Sequence, residues 1–284
     1  MLRLNLTESL ASTKTLFQVG RYYELEWGAV VDWFANWFNT NFNDVKDTNG
    51  FSFADMRKYT YNDWRIKLYT YMIQQEEVFH NHKLTPKKEK GILFKWNQVK
   101  TEQDRINLLN DLFKNDYDKT LHRVRKDIIN KHVVIVDIDN KSNLIQYISP
   151  NEILDKAYKM GFNFIAYSSF NNTREKPKFR IIIPTDRPYT VIENLKLREY
   201  FAWFFTCREY NDFVYDLIDY TSFEAPRFFY IPVNRKDNNS RWFVSKVDGH
   251  EMSVDISLKK HSKLLFEKKI LLWKNLKELR RGVE

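Results

Sequence analysis

The sequence predicts an α+β fold, and three stretches carry the prediction. Val133–Val136 is a continuous apolar, β-branched run, as expected of a strand buried on both faces. Ser149 and Pro150 open a helical pattern that closes near Gly161, with proline suited to a first turn. From Lys176 to Ile181 cations and apolar residues alternate, the period of a strand.

Residues 1–130 are expected to form a mainly helical N-terminal region. Val30, Trp33, Phe34, Trp37 and Phe38 fall on one helix face, and residues 61–79 and 102–114 share helical periodicity. Between them Lys83–Lys100, with Pro86 and Gly91, predicts a basic loop carrying a short strand at Ile92–Trp96. A second region, residues 131–250, changes character. After the first strand and the Ser149–Gly161 helix come strands at Asn163–Ser168 and Phe179–Pro184. A helix at Val191–Tyr210 and strands at Arg227–Pro232 and Arg241–Val247 complete it. That β-α-β-β-α-β-β order implies a mixed sheet with helices on one face. Residues 251–284 predict a tail whose Ser257–Arg281 stretch is a basic amphipathic helix.

Composition narrows the function classes. There is no run of about 18 apolar residues, so no membrane span is expected. One cysteine, Cys207, excludes a disulfide framework and argues against a cysteine zinc site. The first residues lack a continuous apolar segment, so a cytoplasmic location is expected, in a bacterial, archaeal or virus-infected cell. The formal net charge is +9, which permits nucleic-acid binding. Residues 131–250 carry 17 basic and 15 acidic side chains, so the surplus lies in the flanks. The candidates for nucleic-acid contact are therefore Lys87, Lys88, Lys90, Lys95, Arg123, Arg125 and Lys126, with Trp96 able to stack on an unpaired base.

Three motifs bear chemistry. Asp137 and Asp139 stand two apart at the end of the first strand and so share a face. Carboxylates this close repel, and a pair of Mg²⁺ or Mn²⁺ ions is one reason to keep them. Relief of that repulsion predicts that Asp137→Ala leaves the fold intact. Ser168, Ser169, Asn171 and Asn172 end the next strand with small polar groups, and Lys176, Lys178 and Arg180 follow as a row of cations on one face. Metals and cations together would neutralise a triphosphate. Asp219 and Arg227 supply a further acid and a further cation. Each motif has a plainer reading: a turn after Asp139, a solvated basic hairpin, a buried salt bridge.

In order and content these motifs resemble those of the archaeo-eukaryotic primase superfamily, in the primase-polymerase branch of plasmids, phages and other mobile elements. Asp137-x-Asp139 matches the first motif, and Glu175–Arg180 running into Ile181–Pro184 matches the second. Ile218-Asp219, Ser222, Pro226-Arg227 and Tyr230–Pro232 match the third. The likeness spans roughly residues 131–235, and Asn172 stands where the family usually has a histidine that contacts nucleotide phosphate. The resemblance implies an RNA-recognition-motif-like catalytic core with Asp137, Asp139 and Asp219 as catalytic ligands of two Mg²⁺ or Mn²⁺ ions. Ser168, Ser169, Asn171, Asn172, Lys176, Lys178, Arg180 and Arg227 become the pool of nucleotide contacts. The expected activity is DNA primase or polymerase chemistry on a single-stranded DNA template, with nucleoside triphosphates as substrates and a replicative helicase as a further partner. The rival expectation is a replication-initiation or DNA-binding protein that keeps the fold with little synthesis. A metal-dependent nuclease comes third, because its substrate does not call for the cationic row.

Overall fold

A computed structural model describes residues 2–7, 17–42, 50–56, 98–113, 120–122, 128–139, 149–206, 219, 229–233 and 239–267. The chain divides into a larger unit, Met1–Met56 with His122–Glu284, and a smaller one, Arg57–Leu121. In chain order the elements are β1 (Leu2–Thr7), β2 (Phe17–Leu25), α1 (Trp27–Thr40), β3 (Gly50–Ser52), β4 (Ala54–Met56), α2 (Glu102–Phe113), β5 (Thr120–His122) and β6 (Ile128–Asp139). They continue with α3 (Pro150–Lys159), β7 (Phe164–Ser168), β8 (Lys178–Thr190), α4 (Val191–Thr206), β9 (Phe229–Tyr230), β10 (Phe243–Lys246) and α5 (Val254–Phe266). In the smaller unit α2 begins where the Thr101 hydroxyl accepts from the Asp104 N–H (3.1 Å) and donates to its carboxylate (2.6 Å), a local cap. The expected 61–79 helix, the Ile92–Trp96 strand and the tail beyond residue 267 lie outside the described residues.

Local signals explain the elements of the larger unit. Ser149 caps α3 by accepting from the Glu152 N–H (3.2 Å), and Gly161, at φ 70°, takes the left-handed turn after it. Thr190 and Glu193 cap α4 reciprocally, each side chain accepting the other's N–H (3.2 and 2.7 Å). The central sheet has the order β10-β7-β8-β6-β4, and every pairing within it is antiparallel. The expected mixed sheet is thus corrected: the parallel contacts are isolated bridges, Phe162 to His250 and Thr185 to Met252. Because β8 inserts between β6 and β7, those two run the same way without touching, a split β-α-β arrangement. An RNA-recognition-motif sheet would carry its last strand beside its first; here β10 lies beside β7 instead.

Both faces of this sheet are covered, which corrects the expectation of helices on one side. Even-numbered residues of β6, Val134, Val136 and Ile138, pack with Ile153 and Ala157 of α3, Leu197, Phe201 and Phe205 of α4, and Leu264 of α5. Odd-numbered Val133 and Ile135 pack instead with Val30, Val31, Phe34 and Phe38 of α1, Leu2 and Leu4 of β1, and Phe51, Phe53 and Phe229. Among the described residues, the N-terminal segment expected to be mainly helical also holds strands. β1 pairs with β2 and β3, and β3 pairs with β9, so Phe229–Tyr230, within the strand expected at Arg227–Pro232, join a second sheet rather than the central one. The physical reason is visible in Leu2–Thr7, where leucines alternate with polar residues at strand period.

Near the start of β6, Lys131 is only 4% exposed, and burial holds its ammonium down to about 8. Below pH 8 the lysine is charged in both folded and unfolded chains, and the folded state bears the full desolvation cost, about 3 kcal/mol. Above it the folded chain releases the proton first, so stability rises towards pH 10.5. Chemical denaturation at pH 7 and 9.5 should show that rise in the wild type. Lys131→Met should be more stable at pH 7 and lack it; a parallel profile would place the ammonium in water.

Candidate functional site

The far end of β6 faces β8 in a register that sorts residues into rungs. Ile135, Ile182 and Ile165 align across three strands as a buried apolar rung. The next rung outward is Asp137, Arg180 and Tyr167, and beyond it Asp139 faces Lys178. Each carboxylate of the Asp-x-Asp pair thus stands directly opposite one cation of the alternating row. Arg180 Nη2 lies 2.6 Å from Asp137 Oδ2, with both side chains largely buried. Lys178 Nζ lies 2.6 Å from Asp139 Oδ1 in a more open position, the side chains 24% and 23% exposed. Opposite charges in directly facing positions stabilise a sheet pair, so the ladder holds without any ligand.

Arg180 is gripped from three sides. Besides Asp137, its Nη1 donates to the Tyr167 hydroxyl (2.9 Å), and its guanidinium lies 4.7 Å from the centre of the Phe229 ring. Burial alone would lower the Arg180 pKa, but the Asp137 charge and the Tyr167 hydroxyl outweigh it, and the group is held above its ordinary value. Burial raises the Tyr167 phenol against the opposing pull of Arg180, so it stays protonated. Tyr167→Phe should cost about 2 kcal/mol, the worth of a buried hydrogen bond to a charged group. An unshifted urea midpoint would mean that the hydroxyl does not hold Arg180.

Asp219 meets this ladder through its backbone: its N–H donates to the Asp137 carbonyl (2.8 Å). The Asp137 main chain therefore faces away from β8, and its pairing with Arg180 is the kind that brings side chains closest. Among the described residues no group of three or more His, Cys, Asp or Glu side chains stands close enough to hold a metal ion. Hard carboxylate oxygens suit Mg²⁺ or Mn²⁺, so the donor chemistry fits. Two of the three carboxylates are engaged by cations, so an ion would have to displace Lys178 or Arg180.

The β7–β8 turn departs most from its expected use. The buried Ser168 hydroxyl accepts from the Trp242 N–H (3.0 Å) and donates to the Trp242 carbonyl (3.3 Å). Asn172, also buried, donates to the Ser240 carbonyl (2.6 Å) and accepts from the Lys178 N–H (2.9 Å). These groups fasten the turn to the start of β10 and set where Lys178 begins its strand. Ser169 shapes the same turn through its backbone, while Asn171 and Lys176 are exposed. Sequence reasoning missed Tyr167 and Phe229. Tyr167 was findable, because it precedes Ser168 on the opposite face of the strand, but the approach of Phe229 depends on a distant segment. Arg227, Lys87, Lys88, Lys90, Lys95, Trp96, Arg123, Arg125 and Lys126 lie outside the described residues.

No helix among the described residues is long and apolar enough to cross a membrane. Among curated proteins and among solved structures, none matches the chain. A family model described as the VapE N-terminal domain matches residues 39–265, which include every element from β3 to α5 apart from the last residue of α5.

Proposed function

Since the chain belongs to the VapE N-terminal domain family, within the primase-polymerase superfamily, we propose that it is a template-directed nucleotidyltransferase acting in replication of a plasmid, phage or other mobile element. The observation that carries this reading is the register of β6 on β8, which interleaves metal-type acids with phosphate-type cations on one face. Asp137, Asp139 and Asp219 would hold two Mg²⁺ or Mn²⁺ ions. Such ions, when bound, activate a 3′-hydroxyl and stabilise charge on the departing pyrophosphate. Lys178 and Arg180, with Lys176 and Arg227, would take the triphosphate oxygens. Tyr167 and Phe229 position the Arg180 guanidinium. Asn172 fixes the turn from which Lys178 enters its strand. The single-stranded DNA template would be held by the basic flanks, Lys87, Lys88, Lys90 and Lys95 with Trp96, and Arg123, Arg125 and Lys126.

A second reading, a replication-initiation or DNA-binding protein that keeps the fold without synthesis, is favoured by one observation. The Asn172 amide, at the position of the family's phosphate-contacting histidine, is committed to backbone partners. Incubating the protein with single-stranded template, all nucleotides and Mn²⁺ or Mg²⁺ separates the readings. Elongated or newly made strands support synthesis, DNA binding without product supports the second reading, and shortened DNA supports a nuclease.

A further inference from the structure

Beyond the charged ladder, the same face of the central sheet ends in a cation of a different kind. Phe243 lies opposite Tyr167 and packs on the α1 side of the sheet, while Trp242 packs on the other side. By the alternation of an extended chain, Arg241 returns to the α1 side, the face of Asp137 and Arg180. There its guanidinium carbon lies 4.6 Å from the centre of the Phe42 ring, just past the end of α1. Lys178 and Arg180 each face a carboxylate, whereas among the described residues the contact of Arg241 is a ring. Both partners open to solvent: Arg241 is exposed, and Phe42 is 38% exposed.

The pair is held in place by its neighbours. Asn41 donates to the Pro232 carbonyl (3.0 Å), and Phe38 of α1 lies 5.6 Å from Phe243, ring centre to ring centre. On the other side the Ser240 carbonyl accepts from the Asn172 amide (2.6 Å), and Trp242 exchanges bonds with the Ser168 hydroxyl. The end of α1 is thus joined to β10 without the Arg241–Phe42 contact, and an exposed cation–ring pair adds little to stability. What the pair offers is a preformed, positively charged aromatic surface facing water. An unpaired base can lie flat on a ring or a guanidinium while the charge sits near its phosphate. A base inside a duplex has both faces already stacked.

We infer that Arg241 and Phe42 form a stacking platform for one unpaired base of a single nucleic-acid strand. The inference rests on the nucleic-acid partner proposed above and adds a base contact outside the basic flanks named there. Register fixes where that base sits. The Ser168 N–H donates to the Trp242 carbonyl (3.0 Å), and the Ser169 N–H donates to the Lys178 carbonyl (2.8 Å). Arg241 therefore comes level with Lys178 at two strand spacings, about 10 Å. Because β10 is an edge strand of the sheet, a nucleic-acid strand stacked at Arg241 reaches the ladder across that edge. The contact selects single strands over duplex and is indifferent to which base is stacked.

The test measures, by fluorescence anisotropy, binding of the full chain to a labelled single-stranded DNA, to its duplex, and to an abasic strand of equal length. The wild type should prefer the single strand that carries bases. Phe42→Leu and Arg241→Lys should each weaken that binding about tenfold, through loss of a stacking surface. Neither substitution alters the charge, so the slope of log affinity against log salt should stay that of the wild type. Affinity for the abasic strand should change less than about twofold in either variant. Unchanged affinity in both variants, or an equal loss on the abasic strand, would overturn the platform. So would a lowered urea midpoint with unchanged affinity, which would assign the pair to holding α1. In any of these cases single-strand binding by the wild type would leave the proposed partner standing. Weakened binding by both variants of a protein that makes no product would support the platform and sink synthesis. Absence of binding to every strand would overturn both platform and partner.

Discussion

Asp137→Asn should lower nucleotide incorporation by at least about 100-fold while leaving the protein folded, because on the proposed function it removes a metal ligand while an oxygen remains for Arg180. Asp137→Ala should do more harm. It leaves the Arg180 guanidinium buried without its carboxylate, and breaking such a pair costs about 3–5 kcal/mol. Repulsion between Asp137 and Asp139 argues for the opposite outcome, a fold left intact, but each acid already faces its own cation, so there is little repulsion to relieve. Incorporation assays with urea denaturation of both variants separate the two effects. Full activity in Asp137→Asn would remove Asp137 from the chemistry. An Asp137→Ala protein as stable as wild type would show that Arg180 finds water or another partner.

Phe34→Ala should cost about 3–5 kcal/mol, the largest effect expected away from the charged ladder. Phe34 is fully buried, and its ring lies 4.9 Å from Phe51, 5.1 Å from Trp37 and 6.0 Å from Tyr167, centre to centre. It presses α1 onto the face of the sheet that bears Arg180, so its loss also removes backing from Tyr167. Phe34→Leu should cost under about 1.5 kcal/mol, since most of the volume is kept. Phe266, 89% exposed at the end of α5, is the contrast: its change to alanine should stay within about 0.5 kcal/mol. Should denaturation midpoints place Phe34→Ala beside Phe266→Ala, α1 would not be the sheet's second cover.

Much of the central sheet was legible in the sequence, for local reasons. Val133–Val136 is apolar at every position, and the strand is indeed buried on both faces. The parity of Asp137 with Asp139, and of Lys178 with Arg180, follows from strand geometry alone. The facing of those two pairs did not follow, because it is a register between strands some forty residues apart. The N-terminal segment misled for a related reason. The aromatic stripe of α1 is a strong helical signal, whereas β3 and β4 are three residues each and are held by partners elsewhere in the chain. The bond of Asn172 to the Ser240 carbonyl was hidden likewise, because that partner lies far along the chain.

The ladder also limits how this gene segment can drift. Removing or adding a single codon between the β7–β8 turn and Pro184 would slide β8 by one position. A one-residue slip turns every side chain to the other face. Phe179 would then meet Asp137 or Asp139, and Arg180 would enter the apolar layer that Ile181 and Ile183 now fill. Matched exchanges of charge are compatible with the pleat; changes of length are not. Descendants of this sequence should therefore vary in which cation and which acid face each other long before they vary in the number of residues from Lys178 to Pro184.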